Sequence, residues 1–359
     1  MAEQPEILSS DQTRQCVHST PQEAPSSASS TKRAVAMFSG GLDSSLAIRI
    51  MQLQGFEVHA IFVETLFERC HEGVHRAAKA LGVPLTVIPP QDEYIEVIKR
   101  PRFGYGQGAN PCIDCRLYMC RFAKQLMEEI GAAVVVTGEV VGQRPMSQHR
   151  WQQHLVEKHS GLKGRLLRPL SAKLLPPTIP EIDGLVDRER LYAFSGRSRK
   201  PLIELAHQLG ITIIPQPSIG CLLTQPSFAP RVFDLLKHRP EATRWEFEIL
   251  QVGRHIRLSP QTKVVIGRNA EDNAFLAATY RNYRPPDCVF LHPENFMGPD
   301  AMLTGQIEEE HIQLAARLII RYTNARKLPE QPLVRISHQE REEVRTVTPS
   351  TKPVQLVTL

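Results

Sequence analysis

No stretch of this sequence holds enough consecutive apolar residues to cross a membrane, and its first residues carry no apolar core of the kind that marks a secretory leader. Both absences lead to the expectation of a cytoplasmic protein without membrane contact. Net charge is slight as well: +5 over 359 residues names no nucleic-acid partner by itself. The seven cysteines are an odd number in a large chain, which speaks against a disulfide framework and brings metal or redox roles forward. Hydrophobic residues at 42% and charged residues at 23% are ordinary for a soluble chain, and the length gives room for two domains.

What is present is organised around Ala34-Val-Ala-Met-Phe-Ser-Gly-Gly-Leu-Asp-Ser-Ser45. The short apolar run to Phe38 suits a strand buried on both faces of a parallel sheet. Ser39, Gly40 and Gly41 make a turn that lets the backbone come close to a ligand, and Asp43, Ser44 and Ser45 open a helix. Amides at a helix start plus small hydroxyls form an anion site. Asp43 would repel a bare phosphate, so its presence implies a bridging cation, most simply Mg²⁺. The loop differs from Gly-x-x-x-x-Gly-Lys-[Ser/Thr], which makes γ-phosphoryl transfer the less expected chemistry.

Residues 1–32 are rich in Ser, Gln, Pro and Thr and read as a disordered tail. From there strands and helices alternate: strands at 56–63, 85–88, 133–137 and 211–214, helices at 75–81, 116–130, 151–159 and 201–209, with a Gly/Pro-rich loop at 100–111. The expected fold is α/β, a doubly wound parallel sheet over residues 33–238 with ligands beyond the carboxyl ends of its strands. After Arg239-Pro240 the pattern changes to strand-like 247–252, 263–267 and 288–291 with helices near 270–279 and 308–322, a smaller α+β domain at 240–328. Residues 329–359 are polar and expected to be a poorly ordered tail. Charge is uneven: residues 141–200 hold twelve Lys/Arg against five Asp/Glu, while 241–359 hold fifteen of each. A phosphate-tracking surface would therefore lie in the first domain, with Arg144, Arg168 and Lys173 as candidate phosphate or RNA contacts.

Cys112 and Cys115 form a CxxC at the mouth of a helix, and Cys221 lies on a distant loop of the same domain. A CxxC alone fits a redox pair, half a zinc site or iron–sulfur ligands. Zinc prefers four protein ligands, and only these three cysteines have clear loop placements. Three thiolates would leave one iron of a [4Fe–4S] cluster open to a hydrosulfide. Cys120 falls on an apolar helix stripe, and Cys70 and Cys288 within ordinary elements, so all three read as packing residues.

Ser39 to Ser45 resembles the pyrophosphate loop of the ATP pyrophosphatases, a superfamily of HUP, Rossmann-like fold whose members adenylate an oxygen and release pyrophosphate. Asn110-Pro111-Cys112-Ile-Asp-Cys115 together with Gly220-Cys221-Leu-Leu-Thr is similar to the cysteine motifs of the tRNA thiolation branch. The resemblance covers about residues 33–235 and implies a tRNA sulfurtransferase. ATP phosphates would sit on Ser39, Gly40, Gly41, Ser44 and Ser45 with Mg²⁺ on Asp43, and Cys112, Cys115 and Cys221 would carry sulfur, either as ligands of a [4Fe–4S] cluster or by a persulfide route. The sulfur donor would be sulfide or a persulfide from a cysteine desulfurase, and a homodimer is allowed. An N-terminal THUMP or rhodanese-like module is not recognisable, which leaves tRNA docking open. Gly253-Arg-His-Ile-Arg-Leu-Ser-Pro and Lys263 to Asn273 resemble, over a shorter match, the RNA-binding domain of NFACT proteins. Two other readings stand beside this one: a ligase or sulfur transferase of the same loop type acting on a small molecule, and a nucleotide-sensing RNA-binding protein.

Overall fold

The computed structural model describes residues 32–144, 146–216, 220–348 and 357–358. The tail expected at 1–32 thus falls, but for its last residue, outside the described residues. The first domain runs β1 (Arg33–Met37), α1 (Leu42–Leu53), β2 (Glu57–Val63), α2 (Glu72–Leu81), β3 (Leu85–Ile88), α3 (Glu93–Lys99), α4 (Cys112–Glu129), β4 (Val134–Thr137), α5 (Arg150–His159), β5 (Leu166–Leu167), α6 (Ile179–Ile182), α7 (Lys200–Gln208) and α8 (Ala229–His238). Its five strands are all parallel, in the order β3-β2-β1-β4-β5.

Helices cover both faces of this sheet, and β1 shows why its sequence is apolar throughout. Ala34 and Ala36 point into a cluster with Leu46 of α1, Val74 of α2 and Leu202 of α7. Val35 and Met37 point the other way, among Ile95 of α3, Ile113 of α4 and Val232 of α8. Successive side chains of a strand take opposite faces, so double coverage demands an unbroken apolar run. Each such side chain, fully buried, contributes about 1.5–3 kcal/mol of transfer free energy. β1 and β4 lie side by side at the middle of the sheet, and the chain reverses direction of winding there, so their carboxyl ends frame the crevice where ligands of such sheets bind.

The second domain follows with α9 (Arg244–Glu248), β6 (Arg254–Ser259), β7 (Thr262–Ile266), α10 (Ala270–Tyr283), β8 (Cys288–Pro293), β9 (Ala301–Gly305), α11 (Glu309–Tyr322), β10 (Leu333–His338), β11 (Arg341–Thr346) and β12 (Val357–Thr358). Its strands make one antiparallel sheet, order β11-β10-β8-β9-β7-β6-β12. α11 packs Ala315, Leu318 and Ile319 on one face, and α10 packs Leu276 and Tyr280 on the other.

Four expectations are corrected. Residues 247–252 are not a strand: a Thr243–Glu246 capping box starts α9, and a 3₁₀ turn follows at Ile249–Gln251. Phe247 and Leu250 from this segment enter the first domain's core while Trp245 and Ile249 enter the second's. Residues 211–214 have extended chain without strand pairing. The tail expected at 329–359 contains the β10–β11 hairpin, in which Val334 and Ile336 are buried against α11's cluster. Lastly, Cys112 and Cys115 do not precede their helix; they are in its first turn.

Candidate active site

The loop after β1 is built by its own small residues. Gly40 has φ +72°, in the left-handed region that glycine tolerates, and a Cβ there would press within 3.0 Å of the Val74 backbone. Gly41 caps α1, and its carbonyl accepts the hydroxyls of Ser44 at 3.0 Å and Ser45 at 2.9 Å as well as the Ser45 amide. Ser39 Oγ lies 3.3 Å from Ser44 Oγ and accepts from Gly41 N at 3.3 Å. These bonds hold the loop and leave the first amides of α1, which have no partner within the helix, facing outward. Gly138, just past β4, is pressed so closely on α1 that a Cβ would collide with the backbone of Asp43 and Ser44. The helix start is thereby set against the end of β4.

Asp43 lies in the first turn of α1. Its Oδ2 accepts from Gln143 Nε2 at 3.0 Å, while its buried Oδ1 has no partner among the described residues. Burial raises its pKa, opposed by Gln143, Arg199 and Arg144. A buried, half-satisfied carboxylate beside a phosphate-type loop has the chemistry of a cation ligand, and this atom suits the Mg²⁺ of the sequence reading.

Across the crevice, the Gly-rich loop at 104–110 brings the cysteines together. Ala109 N donates to Leu223 O at 2.9 Å, and Gly108, at φ +63°, lies flat against the same carbonyl. This clamps the segment after Cys221 beside α4. Gly106 leaves room for Cys112 Sγ, which a Cβ there would meet at 2.7 Å. Cys112 and Cys115 occupy the first turn of α4, and Cys221 caps the 3₁₀ turn Leu222–Thr224. The buried Tyr94 hydroxyl donates to Cys115 Sγ at 3.2 Å. Burial pushes Cys115 up to about 11 and Cys221 up to about 12, and raises Cys112 against the pull of nearby backbone amides and Arg116. All three are therefore thiols at neutral pH.

One cavity of about 500 Å³ is lined by Ser39, Gly41 and Asp43 from the loop and by Cys112, Cys115 and Cys221 from the opposite wall. Arg116, Arg144, Arg197 and Arg199 also line it, with Glu68 near the thiols. Among the described residues no three His, Cys, Asp or Glu side chains are gathered about a single point as metal ligands. Three thiols on one wall nevertheless have the donor chemistry of an iron–sulfur site.

The structure separates the other sequence candidates. Ser44 lines a smaller recess that continues under the loop, whereas Ser45 is buried behind it. Arg144 lines the cavity, but Arg168 is a correction: its side chain is 2% exposed and donates to Glu139 at 2.9 Å, so it cannot reach a phosphate or an RNA strand. Its task is internal. Burial pushes Glu139 up, but Arg116 and Arg168 outweigh it and hold the carboxyl below its ordinary range. Lys173 lies away from the cavity and pairs with Glu189 at 3.0 Å. Cys120 and Cys288 are core residues, as expected, and Cys70 is partly exposed beside His75 at 3.5 Å. Sequence reasoning missed Gln143, Glu139, Tyr94, Arg116 and Arg199. Glu139 and Gln143 had a signal, since both follow directly on the β4 run; Tyr94 and Arg199 had none.

Comparison with known proteins agrees with this layout. Residues 32–159 match the family model described as tRNA methyl transferase HUP domain, and residues 253–355 that of NFACT protein RNA binding domain. The first domain resembles a HUP domain over residues 32–159. Over 120 residues it is 36% identical to the tRNA-specific 2-thiouridylase MnmA of Trichlorobacter lovleyi, covering 30% of this chain and 33% of that protein. The MnmA of Brucella suis is 25% identical over 230 residues, 58% of this chain and 54% of the relative. A probable tRNA sulfurtransferase of Thermococcus kodakarensis is 30% identical over 38% of this chain and 36% of its own. The chain thus spans about a third of the first of these relatives. Among solved structures, a 4-thiouridine synthetase–RNA complex with bound ATP aligns with TM-score 0.32 and 20% identity, covering 50% of this chain and 52% of that one. Ser39 to Ser45 and the CxxC both lie inside the matched residues 32–159, whereas Cys221 lies beyond them.

Proposed function

We propose that the chain is an ATP-dependent tRNA sulfurtransferase that adenylates a pyrimidine carbonyl oxygen, releases pyrophosphate and replaces the oxygen with sulfur. The observation that carries this reading is the single cavity with the phosphate-type loop on one wall and Cys112, Cys115 and Cys221 on the other. ATP would place its β- and γ-phosphates on the amides of α1 and on Ser39 and Ser44, with Mg²⁺ held by the unpartnered Oδ1 of Asp43. The base oxygen attacks the α-phosphorus, the bond to pyrophosphate breaks, and Arg144, Arg197 and Arg199 offset the charge that develops. Sulfur then adds to the activated ring carbon and AMP leaves with the oxygen.

In this reading Cys112, Cys115 and Cys221 hold a [4Fe–4S] cluster, which when bound supplies an iron site open to sulfide. The chain's own part is to exclude water, to hold Cys115 through Tyr94, and to keep the thiols protonated until iron or a base removes the proton. In the second route a cysteine desulfurase hands persulfide sulfur to one thiol, the outer sulfur adds to the ring carbon as AMP leaves, and a second thiol attacks the cysteine sulfur, freeing the thionucleoside and leaving a disulfide that an external thiol reduces. The RNA partner and the cytoplasmic setting belong to the same proposal.

The test is incubation of the full chain, purified without oxygen, with ATP, sulfide and unmodified tRNA, followed by nucleoside analysis. One thionucleoside per AMP released is expected, with Asp43→Asn and Cys221→Ala each at least a hundredfold slower. AMP release with a small amide or acid and no thionucleoside would overturn the tRNA reading. Colourless, iron-free protein that still thiolates would overturn the cluster.

A further inference from the structure

A second cavity, about 630 Å³, opens in the antiparallel domain between the start of α10, the β8–β9 connection and the end of α11. Its chemistry differs from that of the first. The Arg254 guanidinium lies over the Tyr322 ring at 4.8 Å, which makes a flat surface of cation and aromatic. Met297, 77% exposed, extends it with free apolar area, and Phe296, which also packs partly against the domain's core, lines the wall beside it. Other charges at the rim cancel: Arg268 binds Asp272 at 2.7 Å and Glu294 binds Arg335 at 2.7 Å. Lys327 has no ion pair among the described residues, and Arg254 has none either, so the cavity keeps two uncompensated cations beside a stacking surface.

We propose that this cavity seats one unpaired nucleotide of an RNA strand, its base on Tyr322, Phe296 and Met297 and its flanking phosphates on Arg254 and Lys327. This rests on the reading that the chain acts on RNA, and it names where the second domain would hold that strand. A base face stacks on an aromatic ring without regard to sequence, and an exposed ring beside free cations is what such contacts need. A duplex keeps its bases inside and offers nothing to the ring. Residues 241–359 carry equal numbers of acidic and basic residues, so net charge supplies no general attraction for a long phosphate backbone. Two cations engage about two phosphates, which gives a slope of log affinity against log salt of about −1.4 for a single strand.

The test is anisotropy of a labelled ten-nucleotide single-stranded RNA with the full chain, against the same sequence as a duplex and against AMP. Binding should be at least tenfold tighter to the single strand than to either competitor. Tyr322→Ala should weaken it about tenfold, Tyr322→Phe less than twofold, and Lys327→Ala severalfold with a slope shallower by about 0.7. Because Lys327 is exposed and unpaired, that variant folds even if the tyrosine variant does not. Equal affinity for duplex, tighter binding of AMP, or a Tyr322→Phe loss as large as that of Tyr322→Ala would each overturn the proposal. Asp43→Asn should bind the strand like the parent. A parent that binds the strand through Tyr322 but makes no thionucleoside would sink the sulfurtransferase reading and leave this one standing.

Discussion

Asp43 and the three cavity cysteines show how single groups are poised. Asp43 has one carboxylate oxygen bonded to Gln143 and the other buried without a partner among the described residues, and the thiols opposite are held protonated by burial. The sign of the second effect can be read from alkylation. A thiol pushed up to about 11 is ionised roughly a hundredfold less at neutral pH than one near 9, so Cys115 in metal-free protein should react with iodoacetamide about a hundredfold slower than an exposed cysteine. Its rate should climb about tenfold per pH unit until near 11; a plateau near pH 8 would show that its thiolate is stabilised instead. At this scale the sequence placed Asp43, in a glycine loop at a helix start, where the structure has it, on the wall of the cavity. It was mute on Tyr94 and Arg199, which reach the cavity only because α3 and the start of α7 end there. It misjudged Arg168, because nothing in a basic segment says which arginine turns inward to a buried Glu139.

Elements meet at glycines in this protein, and at Gly138 the end of β4 is pressed onto the start of α1. With the backbone of Asp43 and Ser44 directly over its Cα, Gly138→Ala forces α1 away from β4. Overpacking of this kind costs about 1–3 kcal/mol, and it shifts the phosphate-type loop at the same time. Urea unfolding and nucleotide affinity should therefore fall together, whereas stability lost with affinity intact would mean that the loop's position does not depend on this contact. The parallel sheet was legible because the apolar runs of β1, of β4 and of β2 from Ala60 to Val63 have one explanation. The second domain was less so: Phe247 to Val252 is apolar like a strand, but the Thr243–Glu246 cap and the need to face two cores at once make it helical. The hairpin at β10 and β11 was hidden by polarity, since only alternate residues of β10 are buried and β11 is exposed almost throughout.

The whole molecule is tied together by charge as well as by that shared segment. Asp234 of α8, 9% exposed, accepts from Arg257 at 2.5 Å and Lys263 at 3.4 Å on the first hairpin of the second domain. Arg239 pairs with Asp287, and Gln251 donates to Leu66 O at 3.1 Å, next to the Thr65 and Glu68 that line the cysteine cavity. Asp234→Ala leaves two buried cations without their anion, a loss of about 3–5 kcal/mol. It should lower the denaturant midpoint of both domains together; an unchanged midpoint for the first domain would show that the domains unfold independently. The sheet of the second domain also has a bearing on how copies of the chain meet. Its outer strand β11 sets Arg341, Glu342, Glu343 and Arg345 along six residues, five of them exposed. A neighbouring strand that tried to extend the sheet there would have to bring its own backbone against that row of mixed charges, and edges of this kind turn such partners away. Any pairing between copies must use another surface.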